Sequence, residues 1–358
     1  MIQFEERPGI LDLSWGHPRP DLLPVREWAA AGAGLDWRAL TYGADAGPPA
    51  LLEALGGVGR TFVTGGTSHG LALLTQVLAA PGDVVLVDSP TYHLAFPILT
   101  DRGLRPVHAP EGLAPDALRA LIRACRPRFL YLVPTFGNPT GRSLPPDRRR
   151  ELIEVARQEG ILLVEDDTYR ELVYDGVAPQ ALWEVAGGGP VVRLGSFAKT
   201  VAPGLRLGWI NAEPEIITRL VRLGYVHSGG GVNHATAVTM AGFLADGAFG
   251  RHLVALRGEY RTQRNALVDA LRERIAGVES PAGGWFLWVP LPVGVEADGL
   301  LPIAEEHGVS FVPGTRFWAD GSGGRDRIRL SFSHLPAADL MRAAGRLADA
   351  VAAAVHKR

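Results

Sequence analysis

Short aliphatic runs alternate along the first two thirds of this chain with longer stretches of helical period. The runs predict strands at residues 61–64, 83–87, 105–108, 128–133, 160–164, 191–194 and 205–210, and those at 83–87, 128–133, 160–164, 191–194 and 205–210 are apolar enough to be covered on both faces. The stretches between them predict helices at 49–55, 71–80, 93–101, 114–124 and 147–158. Strand and helix in alternation point to an α/β protein with a mostly parallel sheet. After Asn211 the pattern turns helical, with 215–225, 235–244 and a run over 249–275 long enough to bridge two domains. Beyond residue 280 it alternates on a smaller scale, with strand segments within 283–289, 309–314 and 327–332 and a closing helix over 337–355. The first 40 residues read as an arm that Pro18, Pro20 and Pro24 keep from becoming a helix.

Composition adds mainly exclusions. The 358 residues are 47% hydrophobic and 21% charged, enough for one large or two medium domains. A net charge of −2 offers no basic surface for nucleic acid or an anionic membrane. The single cysteine, Cys125, rules out a disulfide framework within the chain and reads as structural. The start, Met1 to Arg7, carries acids and no apolar core of a signal peptide, and no apolar run reaches the ~18 residues of a membrane span. The expected location is the cytoplasm. Arg148, Arg149 and Arg150 on the helix at 147–158 read as a solvated face.

The chemistry concentrates in Ser196-Phe197-Ala198-Lys199-Thr200-Val201-Ala202-Pro203-Gly204-Leu205-Arg206. Lys199 sits between two apolar runs, and Arg206 lies inside the second, where an unpaired guanidinium is costly. Arg206 is therefore expected to have an anionic partner. Lys199, desolvated and near a cation, should have a lowered pKa and a nucleophilic amine. An amine fit for a Schiff base beside a serine and an arginine suggests a phosphorylated aldehyde cofactor. Gly65-Gly66-Thr67-Ser68, between a strand and a helix start, forms a second anion site with two hydroxyls. Asn138, in Asn138-Pro139-Thr140-Gly141, follows a strand, where α/β proteins place ligands. Glu165-Asp166-Asp167 ends another strand; a metal site is one reading, and Tyr169 three residues after Asp166 favours a different one.

These segments, in this order, resemble the class I/II aminotransferases that depend on pyridoxal 5'-phosphate (fold type I, like aspartate aminotransferase), from about Leu11 to about Val351. The resemblance implies a large cofactor domain (45–240) with a mostly parallel seven-stranded sheet and a smaller α+β domain (241–358) joined by the arm (1–44). It implies that Lys199 forms the Schiff base and shuttles a proton, that Asp166 pairs with the pyridine nitrogen, and that Tyr169 and Asn138 meet the phenolic oxygen. Tyr92 stacks on the ring, and Thr67, Ser68, Ser196 and Arg206 hold the phosphate. Gly16, Asn138 and Arg329 meet the substrate carboxylate, with Arg327 a rival of Arg329 on the same strand face. No metal is implied. Substrates are an amino acid and a 2-oxo acid, and the protein is a homodimer in which Tyr42 reaches the partner's phosphate. The interval from Gly43 to Thr64 is abbreviated relative to the family, with one short helix where relatives carry a full helix and a connector. Trp15, His17, His69 and His227 are further candidates to face the pocket, and His69 serves equally well as a helix cap. Elimination, decarboxylation, cyclisation or oxidation of an amino acid on the same fold remains an alternative to transamination. A regulatory domain of a DNA-binding protein is a remote one.

Overall fold

The computed structural model describes residues 7–231 and 233–356. The acidic start at 1–6 and Val232 of the glycine-rich loop lie outside the described residues.

A seven-stranded sheet runs through the larger part. Its strands are β1 (Thr61–Thr64), β2 (Val84–Val87), β3 (Arg105–His108), β4 (Phe129–Leu132), β5 (Leu162–Asp166), β6 (Val191–Ser196) and β7 (Gly208–Asn211). Their spatial order is β1-β7-β6-β5-β4-β2-β3, and only β7 is antiparallel to its neighbours. Helices cover both faces, which is why β4 is buried along its whole length and β5 nearly so. The expected strand at 205–210 begins only at Gly208. Residues Pro203–Leu205 form a 3-10 turn, and Arg206 takes a left-handed conformation with φ 48°. Backbone in that conformation cannot continue a strand.

Helix α1 (Thr67–Leu78) leaves the turn after β1, and α2 (Pro146–Glu159) precedes β5. On α2 the solvated-face expectation fails for Arg149. Its side chain is 0% exposed. Nε donates to Leu144 O, Nη1 to Gln180 O, and Nη2 to Pro134 O and to Thr135 Oγ1. Glu165 lies 3.5 Å away and is equally buried. Arg148 and Arg150 pair with Glu151 and Asp147 on the same helix, as a solvated face would.

The long helix α3 (Ala248–Arg272) matches its expected bridging length and ties the two parts together. Arg257 Nε donates to Glu171 O at 2.6 Å, and Arg264 Nη1 to Pro281 O at 2.8 Å. A smaller antiparallel sheet has β9 (Val312–Pro313) and β8 (Phe286–Pro290) flanking β10 (Arg327–Ser331), and α4 (Ala337–His356) closes the chain. The expected strand at 309–314 is divided. Val309–Ser310 pairs in parallel with Leu11–Asp12 of the arm, while Val312 pairs with Arg329. One buried cluster runs continuously from Leu74, Tyr131 and Leu194 through Tyr260 to Trp285, Leu330 and Leu347. The arm is stitched onto this body: Ser331 N donates to Leu13 O, and Ser333 Oγ donates to His17 O. No helix among the described residues is long and apolar enough to cross a membrane.

Candidate active site

The carboxyl ends of β4, β5 and β6 open into one cleft of about 390 Å³. Ligands gather at such strand ends because the loops there diverge and the helix amino termini point inward. Lys199 follows β6 by three residues. Phe197 N donates to Leu207 O at 3.1 Å and closes the connection that carries both Lys199 and Arg206. Ser196 Oγ accepts from Ala198 N at 3.0 Å, which shapes the first turn of that connection.

Lys199 Nζ donates to Gly16 O at 3.2 Å and lies 4.8 Å from the ring centroid of Trp285. Burial lowers its pKa to about 8; Arg329 and Arg206 push the same way, and Asp166 opposes them. An amine so placed is a competent nucleophile and proton carrier near neutral pH. Asp166 is buried. Desolvation raises its pKa, while Thr168, a hydrogen bond from Tyr131 and the charge of Lys199 hold it down. Tyr131 OH donates to Asp166 Oδ2 at 2.9 Å.

The glycine turn and α1 form one end of the cleft. Gly66 has φ 94°, and a Cβ built there would lie 3.1 Å from Arg206 Nη2. Thr67 and Ser68 open α1 with their hydroxyls at the cleft wall. Arg206 is exposed at this end, contrary to the buried strand position expected of it. Its guanidinium donates to Gly65 O at 2.9 Å and Pro203 O at 3.2 Å, and no carboxylate among the described residues pairs with it. A cation beside free backbone N–H groups and two hydroxyls is an anion seat. His69 Nδ1 accepts from Gly65 N at 3.0 Å and so serves the turn itself. Tyr92 stands at the cleft wall with its phenol pushed up to about 12, mainly by burial.

The other end is built around Arg329, 4% exposed. Nη1 donates to Asn138 Oδ1 at 3.0 Å and Nη2 to Ser14 O at 2.5 Å, while Nε is buried without a partner. Its plane lies 4.3 Å from the centroid of Phe286. Burial lowers its pKa to about 10. Arg327, the rival, points its Nε at Asp326 3.5 Å away. Tyr169 lines the cleft with Asn138 and packs edge-on against Phe286.

The cleft thus gathers Gly16, Thr67, Ser68, Tyr92, Asn138, Asp166, Tyr169, Ser196, Lys199 and Arg206, and Arg329 lines an adjoining space of about 210 Å³. Tyr42 stands apart: it is 83% exposed, with its ring against Gly229. His227 is exposed in the 226–230 turn, whereas His17 does line the cleft. Glu165 and Asp167 are buried, not solvated. Glu165 accepts from Leu182 N and Trp183 N, and Asp167 accepts from Arg193 Nη2 at 2.8 Å. Among the described residues no group of three or more His, Cys, Asp or Glu is disposed to hold a metal ion. The sequence reading passed over Tyr131, whose one signal was a lone phenol in an apolar strand. It also passed over the pairing of Arg149 with Glu165, which carries no local signal.

The family model for aminotransferase class I and II matches residues 12–347. The chain is 34% identical to the 2-aminoadipate transaminase of Thermus thermophilus, over 98% of this chain and 92% of that one. It is 30% identical to the aromatic-amino-acid aminotransferase 1 of Thermococcus litoralis, over 98% and 90%. The solved α-aminoadipate aminotransferase of Thermus thermophilus, in complex with N-(5'-phosphopyridoxyl)-L-leucine, superposes with a TM-score of 0.88 at 33% identity, covering 98% of this chain and 94% of that one. An activated lysine in a cleft with an acid and two seats for anions, in a chain with these relatives, has one reading: the protein belongs to the class I and II aminotransferases and is a pyridoxal-phosphate-dependent aminotransferase of amino acids.

Proposed function

We propose that the cleft works as an aminotransferase site with its two anion seats divided between cofactor and substrate. The observation that carries this is Lys199 buried in one cleft with Asp166, the pKa of its amine lowered by burial, beside two arginines that have no carboxylate partner among the described residues. Arg206, Thr67, Ser68, Ser196 and the amino end of α1 would hold the phosphate. Asp166 would face the pyridine nitrogen, Tyr92 the ring, and Tyr169 with Asn138 the phenolic oxygen. Bound pyridoxal phosphate supplies an electron sink for the bonds at the substrate's α-carbon. Arg329 takes the α-carboxylate with its free Nε and a terminal nitrogen, geometry that a guanidinium suits and an ammonium does not. Gly16 closes that seat from the arm. Lys199 Nζ removes the α-proton and returns it within the same cleft, which a base with a pKa near working pH does well.

The space beside Arg329 supports a donor with an uncharged side chain. Its walls include Trp15, Leu94, Phe286 and Val312. His93 is neutral there, because burial and two nearby arginines push its pKa down to about 3. Arg329 and Lys199 are the Lys and Arg side chains among the described residues lining it, and both have other work. A side-chain carboxylate would be desolvated without a partner. The exposed side chains of Trp37, Leu40, Tyr42 and Tyr225 support a homodimer in which Tyr42 meets the partner.

The test is a spectral titration of the purified protein with pyridoxal phosphate, then with amino acids singly and without acceptor. Lysine-linked absorbance should appear, be absent in Lys199→Ala, and convert on addition of leucine, methionine or phenylalanine. A protein that gains no such absorbance overturns the proposal. Faster conversion by glutamate or 2-aminoadipate than by any uncharged donor overturns the side-chain assignment alone.

A further inference from the structure

We infer that Tyr131 is a positioning residue for this reaction, holding the Asp166 carboxylate from behind the cleft so that it faces the cofactor ionised and in one orientation. The inference rests on the placing of Asp166 opposite the ring nitrogen. Tyr131 lies within β4, 1% exposed, in register with Val87 on one side and Val164 on the other. A phenol inside a sheet of aliphatic residues is costly unless its hydroxyl has a partner. The partner is Asp166, two residues past Val164 on the neighbouring strand. Tyr131 OH donates to Oδ2 at 2.9 Å, and Thr168 N donates to Oδ1 at 3.3 Å. Two donors from different directions fix the plane of the carboxylate. Tyr131 itself does not line the cleft.

The phenol is a donor only. Burial and the nearby charge of Asp166 push its pKa well above the ordinary value, so its proton stays in place. A donor to the charged form favours that form. Asp166 needs this help, because burial drives it toward the neutral acid. A neutral acid cannot hold a protonated ring nitrogen by charge. The other titratable groups facing Asp166 are Lys199, Asp88, Tyr92 and Tyr169. Among these described groups, Lys199 is the one whose charge favours the ionised form.

Tyr131→Phe keeps the ring and removes the donor, and is tested in the loaded full-length enzyme. A hydrogen bond to a charged group corresponds to about 10- to 100-fold. The expected result is a fall in kcat of that size with KM for the amino donor within about threefold. Cofactor binding, followed by equilibrium dialysis, should be about tenfold weaker at pH 7 and weaken further as pH falls. Replacing Tyr131 with 3-fluorotyrosine, a stronger donor of nearly the same size, should move the acid limb of kcat/KM to lower pH, opposite to Tyr131→Phe. Unchanged kcat and cofactor affinity in Tyr131→Phe, with Asp166→Ala inactive, would overturn the inference. An unshifted acid limb with fluorotyrosine would do so even if Tyr131→Phe fails to fold. Full activity in Asp166→Ala would instead sink the placing of Asp166.

Discussion

Arg149→Met tests whether the buried ion pair behind the cleft supports the fold. Methionine keeps much of the apolar stem of Arg149 and removes the guanidinium. That removes the donor to Leu144 O, Gln180 O and Thr135 Oγ1, while Pro134 O keeps its bond from Leu144 N. It also leaves Glu165 without its cation 3.5 Å away. A buried acceptor left unpaired costs about 1–3 kcal/mol, and removing one partner of a buried pair costs about 3–5 kcal/mol. The two figures overlap, since the same groups are counted in both, and the expected loss is about 3–5 kcal/mol. The pH dependence has a definite sign. Burial pushes Glu165 up to about 7, so between the ordinary 4.5 and 7 the folded chain holds a proton that the unfolded chain has lost. Stability from this group is present below that window and declines as pH rises through it. Without Arg149 the folded pKa climbs further, so the deficit should be larger at pH 8.5 than at pH 6. Urea unfolding followed by tryptophan fluorescence, at equal cofactor excess, measures both. Arg150→Met, whose side chain is 63% exposed, is the control and should stay within about 0.5 kcal/mol. A loss under about 1 kcal/mol for Arg149→Met, or a loss independent of pH, would refute the reasoning.

Other expectations follow from the cleft. Arg329→Lys should raise KM for the amino donor about 10- to 100-fold, because one ammonium cannot replace two guanidinium hydrogens, while Arg327→Lys should change it less than about threefold; steady-state kinetics on both separates the rivals. The apo protein should capture pyridoxal phosphate faster as pH rises, with a midpoint near pH 8, where the Lys199 amine is half neutral; a midpoint near 10 in stopped-flow absorbance would show a solvated lysine. The same lowered pKa means that the unfolded chain binds the extra proton between 8 and 10.5, so this group's effect on apo stability becomes more favourable as pH rises through that window. Gly195→Ala should lower expression or thermal midpoint sharply, because a Cβ there would fall 2.1 Å from Cε2 of Trp209, whose ring also packs on Phe197.

Some of this protein could be read directly from residue order. β1 has the expected limits because its buried run ends in turn residues on both sides, and the edge strand β3 has them too although none of its residues is buried. Lys199, Asp166 and Asn138 were legible because each follows or ends an apolar strand, and Arg329 because it lies within one, places where a polar residue needs a reason. Arg206 was legible as a cation expected to meet an anion but not as an exposed, left-handed residue, because run length cannot report a single φ angle. Arg149 was misread because its two neighbours are also arginines and helical period assigns each residue a direction, not a depth. Tyr131 was hidden inside a run that counts as apolar. By itself the sequence determined which segments are strands and helices and which residues carry the chemistry, because periodicity and turn residues act locally. Only the tertiary structure decided which acid each phenol and guanidinium meets, because those partners come from strands, loops and an arm brought together by packing across hundreds of residues.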